Sequence, residues 1–197
     1  NFVRDGKKRS FTGFLFCFFM ALLSKESAMV YIGLVPLILY FFTETEMKKN
    51  IRITLSAAAI GIFFLFLHYK IIGSIALSNI PVIDNSLMIT TNFFQQKATA
   101  ILILGKYLLL LIFPHPLSSD YSFDTIRLVT SVANAGFLLA LLVHVGLLIY
   151  AFIKLKEKQL LSFCIFFYLI SMSIASNIFM LIGTHMENFP GIIHDFI

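Results

Sequence analysis

The chain has 197 residues, of which 59% are hydrophobic and only 13% are charged. Ordinary soluble domains carry about 25% charged residues, so this composition, with a mean hydropathy of +0.91, excludes a water-soluble globular protein and indicates a lipid bilayer as the solvent. The net charge of +5 does not point to nucleic acid, because the basic residues gather beside apolar runs, where they report membrane orientation.

Five apolar runs predict an all-α, polytopic integral membrane protein, since most of them approach the about 20 residues that a transmembrane helix needs. The predicted spans are residues 10–24, 27–43, 52–72, 131–153 and 159–182. The third run ends with His68–Tyr69–Lys70, which is typical of an interfacial anchor.

The sequence starts at Asn1 without the features of a signal peptide. We therefore interpret residues 1–197 as an internal fragment of a longer transmembrane domain.

Three basic clusters set the expected orientation, because cytoplasmic loops are enriched in lysine and arginine. With all three in the cytoplasm, residues 73–130 form a long outer loop and the turn between the first two spans also faces outward. The clusters are Arg4, Lys7, Lys8 and Arg9; Lys48, Lys49 and Arg52; and Lys154, Lys156 and Lys158.

A sixth apolar segment, predicted as a helix over 94–113, is not expected to cross the membrane. Lys106 would lie near mid-bilayer, at a cost of about 2.5–3.5 kcal/mol. Gln95, Thr99 and Lys106 share one helical face, which is typical of a helix lying in the interface, whereas Lys97 falls on the opposite side. A re-entrant helix resting on the protein is the other interpretation.

Lys25 and Glu26 stand between the first two apolar runs, and an ionisable residue at such a position is a candidate functional site. Two interpretations are open. In the first, the pair is an interfacial turn in which Lys25 snorkels to the headgroups and Glu26 favours the start of the next helix. In the second, Lys25 binds a lipid-linked phosphate, since an ammonium is a compact charge suited to phosphate.

Other polar residues have plain structural interpretations beside their functional ones. His115 lies between two prolines and is either an incidental part of a rigid turn or a contact to a substrate. His144, inside the fourth span, is interpreted as a packing residue whose polar atoms are satisfied. Ala57 and Gly61 predict close helix packing. No phosphate-binding glycine loop, zinc motif or nucleophile elbow is present, so we expect no metal and no cofactor.

Three segments together resemble one enzyme family. Residues 22–27 read Leu-Leu-Ser-Lys-Glu-Ser and are followed by Pro36. Residues 105–122 begin Gly-Lys-Tyr and end Phe-Pro-His-Pro-Leu-Ser-Ser-Asp-Tyr-Ser, and residues 176–186 contain Ser-Asn-Ile and Gly-Thr-His-Met. In this order they are similar to the GT-C glycosyltransferases, and in particular to the transmembrane-and-tetratricopeptide O-mannosyltransferase group.

The resemblance implies transfer of a sugar from a polyprenyl-phosphate carrier to a protein Ser or Thr, or to a glycan acceptor. The reaction would occur on the outer face of a bacterial inner membrane or an ER-type membrane, with membrane lipids as the other partners. Lys25 matches the position that meets the donor phosphate, and Glu26 accompanies it. His115, Asp120 and Tyr121 match the long-loop motif. The family's catalytic aspartate would precede this sequence, and its tetratricopeptide repeats would follow it.

The sequence departs from the family pattern near its end. His185 and Glu187 follow the fifth span and are candidate site residues, but the arginine expected soon after them is replaced by Asn188. A reading-frame change in a gene fragment is one hypothesis for this departure. The rival to the enzyme is a non-enzymatic membrane protein, either a transporter or an assembly subunit. Transporters often contain inverted repeats, and we find no internal repeat.

Overall fold

A computed structural model describes residues 8–44, 46–72, 87, 90–115 and 128–178. Within these residues the secondary structure is helical and contains no strand, which confirms the all-α prediction for this part of the chain. The helices are α1 (Lys8–Ser24), a 3-10 helix (Glu26–Val30), α2 (Tyr31–Phe42), α3 (Met47–Ile72), α4 (Phe93–Ile112), α5 (Ala135–Ile153) and α6 (Leu160–Ala175).

The predicted spans and the helices differ most at three ends. The helix α3 begins at Met47, five residues before the span predicted at 52–72. The span predicted at 131–153 becomes helical only at Ala135, because Asn134 acts as a cap whose side-chain oxygen accepts a hydrogen bond from the Phe137 N–H at 2.9 Å. The span predicted at 159–182 loses its helical form after Ala175, where Asn177 takes a left-handed conformation with φ 57°. Asparagine tolerates that conformation better than most residues.

Among the residues that the structure describes, three helices are long and apolar enough to cross a membrane: Met47–Ile71, Phe93–Ile112 and Ala135–Ile153. The helices Arg9–Ser24, Glu26–Phe42 and Leu160–Ile174 are apolar but shorter. Large apolar side chains such as Leu55 and Leu139 are 64% and 65% exposed, as expected where lipid replaces water as the solvent. These features fit an integral membrane protein. Since α4 is among the three long helices, its placement at the interface or as a re-entrant helix stays a prediction.

The described residues belong to two compact units. The first unit takes its residues from Asn1–Gly73 and His144–Ala175, and the second from Ser74–Val143 and Ser176–Ile197. The helix α5 is continuous and contributes residues to both units.

The core of the first unit forms where α1, the 3-10 helix and α3 pack together. Its buried residues include Leu22, Ala57 and Phe64. A Cβ added to Gly61 would lie 2.7 Å from the Ile32 side chain, so the small residues Ala57 and Gly61 bring the helices close, as the sequence predicted.

In the second unit, α4 packs against α5 with almost no space between the backbones. A Cβ added to Gly105 would lie 2.6 Å from the Cβ of Ala140. Thr99 is completely buried, and its hydroxyl accepts a hydrogen bond from the Val129 N–H at 2.8 Å. Thr99, which helical spacing places on the same face of α4 as Gln95 and Lys106, therefore uses its hydroxyl inside the protein.

Candidate functional site

The Lys25–Glu26 turn is formed by two consecutive backbone hydrogen bonds. The Lys25 N–H donates to the Ala21 carbonyl at 2.9 Å, and the Lys25 carbonyl accepts from the Ala28 N–H at 3.0 Å. Lys25 itself is extended, with φ −155° and ψ 126°, so the chain leaves α1 and enters the 3-10 helix at this residue. Both charged side chains are exposed.

The residues on either side of the pair hold the turn in place. Leu22 is 1% exposed and Ala28 is 8% exposed, and both belong to the core of the first unit. The apolar neighbours are therefore buried while Lys25 and Glu26 stay at the surface. Close packing of these two side chains holds the backbone beneath the charges, since packing drives the association of helices in a membrane.

Glu26 is bound by a histidine that the sequence did not connect with it. His68 Nε2 lies 2.7 Å from Glu26 Oε1, and the His68 ring also packs against Phe64 with 6.0 Å between the ring centroids. The contact ties the turn to the end of α3. His68, interpreted from sequence only as part of an interfacial anchor, is thus a component of the candidate site.

Lys25 stays available to an external anion. The carboxylate next to it in the sequence is engaged by His68, and among the residues that the structure describes no acidic side chain forms an ion pair with Lys25. The Lys25 ammonium thus has no ion-pair partner among the described residues and lies next to a carboxylate that binds His68. An ammonium in this position is suited to holding a phosphate group.

The opposite end of the first unit carries the basic clusters. Tyr40, near the end of α2, donates a hydrogen bond to the Leu155 carbonyl at 3.4 Å, and the Lys158 ammonium lies 5.5 Å from the centre of the Tyr40 ring. The helix α3, with Lys48 and Arg52 in its first turns, begins shortly after α2 ends. We call this end of the first unit, which carries Lys48, Arg52 and Lys158, the basic end. Two of the basic clusters found in the sequence therefore meet there, and the Lys25–Glu26 turn lies at the other end.

Of the three candidate site residues in the long-loop motif, the structure describes only His115. His115 is exposed, its N–H donates to the Phe113 carbonyl at 2.8 Å, and its ring packs edge-on against the Phe113 ring at 6.3 Å. His115 belongs to the second unit and Lys25 to the first. Four further predicted site residues lie outside the described residues: Asp120, Tyr121, His185 and Glu187.

In the second unit, α4 binds residues 177 and 178, which belong to one of the segments that carry the family resemblance. Lys97, on α4, donates hydrogen bonds to the Asn177 carbonyl at 3.4 Å and to the Ile178 carbonyl at 2.5 Å. Its ammonium also lies 5.5 Å from the centre of the Phe93 ring. The sequence placed Lys97 on the opposite side of α4 from Gln95 and gave no signal for this long-range contact.

His144 has the packing role that the sequence predicted. It is 9% exposed, and its Nε2 forms a hydrogen bond of 3.0 Å with the hydroxyl of Tyr168 on α6. Polar side chains in membrane helices commonly pair across helices in this way. In the described part of the chain, no three His, Cys, Asp or Glu side chains lie close enough to share a metal ion.

No family model, no curated protein and no solved structure matches this chain.

The site is thus a small constellation at one end of the first unit: the Lys25 ammonium, the Glu26 carboxylate and the His68 imidazole. It contains a cation that can hold an anion and a carboxylate that is already bound. Among the described residues, no third His, Cys, Asp or Glu side chain joins Glu26 and His68 to form a possible metal site.

Proposed function

We propose that the chain is part of a membrane glycosyltransferase of the GT-C type. It would transfer a sugar from a polyprenyl-phosphate donor to an acceptor, such as a protein Ser or Thr, at the extracytoplasmic face. The observation that carries the proposal is the position of Lys25. Its ammonium forms no ion pair within the described residues, and it lies at the end of the first unit opposite the basic end.

The distribution of charge supports the orientation. Lysine and arginine are enriched on the cytoplasmic side of membrane proteins, so the basic end corresponds to the cytoplasm and the Lys25–Glu26 turn to the outer face. The headgroup phosphate of a lipid-linked sugar lies at the depth of such a turn. Lys25 can therefore meet the donor without crossing the hydrocarbon core.

The role proposed for Lys25 is electrostatic. When the sugar leaves its carrier, negative charge grows on the phosphate, and a fixed cation beside it stabilises that charge most in the transition state. The Glu26 carboxylate binds His68 at 2.7 Å and forms no ion pair with Lys25 within the described residues. The base that activates the acceptor is expected in an aspartate before Asn1, as the resemblance implies.

The test is sugar transfer by the full-length protein in membranes supplied with a labelled polyprenyl-phosphate sugar. We expect Lys25→Ala to lower kcat about 100-fold, the usual loss when one such stabilising group is removed. Lys25→Arg, which keeps the charge, should retain part of the activity. Lys70→Ala is the matched control, because it removes an exposed lysine near the end of α3.

Unchanged transfer by Lys25→Ala would refute the phosphate role, provided that the variant inserts into membranes as well as the unaltered protein. Equal losses in the Lys25 and Lys70 variants would indicate a general effect of surface charge. If the unaltered protein supports no transfer but exchanges a solute across vesicles, the rival transporter function holds.

A further inference from the structure

One face of the first half of α3, at the basic end of the first unit, forms a shallow and open surface that we call the groove. Its lining residues recur every three or four positions, so they form one face of the helix. Ile51 and Leu55 are 51% and 64% exposed, so this face is open to the surroundings. The lining residues are Lys48, Ile51, Arg52, Leu55, Ser56 and Ala59.

The groove is charged at one end only. Lys48 and Arg52 stand one helical turn apart at its start, and no acidic side chain among the described residues forms an ion pair with either of them. The Ser56 hydroxyl donates to the Arg52 carbonyl at 2.9 Å, so its proton is used within the helix. Beyond the two cations the groove is apolar.

The other basic cluster at this end is partly engaged by its own neighbours. Lys154 donates to both carboxylate oxygens of Glu157, at 2.8 and 3.0 Å. These hydrogen bonds, together with the negative charge of Glu157, raise the pKa of Lys154. Lys158 lies over the ring of Tyr40. Two of the three lysines in this cluster therefore have partners, whereas neither Lys48 nor Arg52 forms an ion pair within the described residues.

We propose that the groove binds an anionic phospholipid, with the phosphate between Lys48 and Arg52 and one acyl chain along Ile51, Leu55 and Ala59. Arginine binds phosphate through two parallel N–H groups, and basic residues beside a membrane helix attract anionic lipids. The lining from Lys48 to Ala59 extends about 16 Å along the helix, most of it apolar. A free phosphate ion would leave this apolar length unfilled, whereas a phospholipid covers both parts.

The experiment measures lipid binding to the purified full-length protein by native mass spectrometry, with phosphatidylglycerol and phosphatidylcholine as probes. We expect a preference for phosphatidylglycerol that falls about fivefold in Lys48→Gln and about fivefold in Arg52→Gln. Lys156→Gln is the matched control, since it removes an exposed charge from the basic end but outside the groove. The control should keep the preference, and circular dichroism should show equal helicity in all variants.

No preference in the unaltered protein, or the same loss in Lys156→Gln as in the groove variants, would overturn the proposal. A second measurement leaves both cations in place and puts a photoreactive residue at Leu55. A covalent adduct with phospholipid supports the proposal, whereas adducts confined to a second copy of the chain or to another protein overturn it. Displacement of phosphatidylglycerol by an equal concentration of inorganic phosphate would also overturn it.

Discussion

The carboxylate of Glu26 and the imidazole of His68 meet at 2.7 Å and join the turn after α1 to the end of α3. The side chains are 69% and 27% exposed, respectively. Exposed ion pairs contribute little to stability because water and salt screen them. The contact therefore fixes the position of the turn more than it stabilises the fold. The Glu26 carboxylate also binds His68 rather than Lys25.

A double-mutant cycle with Glu26→Gln and His68→Gln measures this pair. We expect a coupling free energy of about 0.2–1 kcal/mol, the range of exposed pairs. The free energy of unfolding can be followed by circular dichroism during titration with SDS. A coupling free energy of several kcal/mol would contradict the exposed geometry of the pair.

The contact of Gly105 with Ala140 predicts that α4 and α5 tolerate no added methyl group there. Gly105→Ala brings two Cβ atoms to 2.6 Å, so the helices must separate. Gly146→Ala is the matched control on α5, since nothing lies within 4 Å of an added Cβ. Both variants gain the same helix propensity. We expect Gly105→Ala to be less stable than the control by about 1–3 kcal/mol, the usual cost of overpacking.

The same free energy of unfolding, measured in SDS, checks this prediction. Adding Ala140→Gly to Gly105→Ala removes one of the two clashing Cβ atoms and should restore most of the lost stability. Equal stability of the Gly105 and Gly146 variants would show that the helices do not pack this closely.

The sequence predicted the local features of the fold well, because they depend on neighbouring residues. Apolar runs of sufficient length marked the helices, and the spacing of Ala57 and Gly61 marked a close packing face. His144, predicted as a satisfied packing residue, indeed pairs with Tyr168.

Contacts between distant residues were not predictable, because no periodicity encodes them. Nothing in the run His68–Tyr69–Lys70 indicates a partner in another helix, and nothing near Lys97 indicates the carbonyls of residues 177 and 178. Thr99 was placed on a polar face because helical spacing groups it with Gln95, but spacing alone cannot tell a hydroxyl at the surface from one that binds a buried N–H.

The buried hydroxyl of Thr99 predicts a loss of stability on Thr99→Val. The variant keeps the shape of the side chain but leaves the Val129 N–H without its acceptor, at a cost of about 1–3 kcal/mol. Thr54→Val is the matched control, because that hydroxyl only donates to the Asn50 carbonyl of its own helix. It should change the free energy of unfolding by less than the Thr99 variant, and the reverse order would contradict the assignment.

Asn50 connects α3 to the proline in α2. Its side-chain amide donates to the Pro36 carbonyl at 3.1 Å, and the residue is only 6% exposed. The amide oxygen is buried without a hydrogen-bond partner among the described residues. One half of the amide is thus stabilising, and the other half carries a desolvation cost.

This asymmetry predicts unequal losses of stability for two substitutions of similar size. Asn50→Leu removes the donor and the unpaired oxygen together, so the free energy of unfolding should fall by less than about 1.5 kcal/mol. Asn50→Asp replaces the donor with a second acceptor facing the Pro36 carbonyl and buries a carboxyl group, which should cost about 3 kcal/mol or more. SDS titration at neutral pH compares the two, and an Asp variant as stable as the Leu variant would show that Asn50 is not enclosed as described.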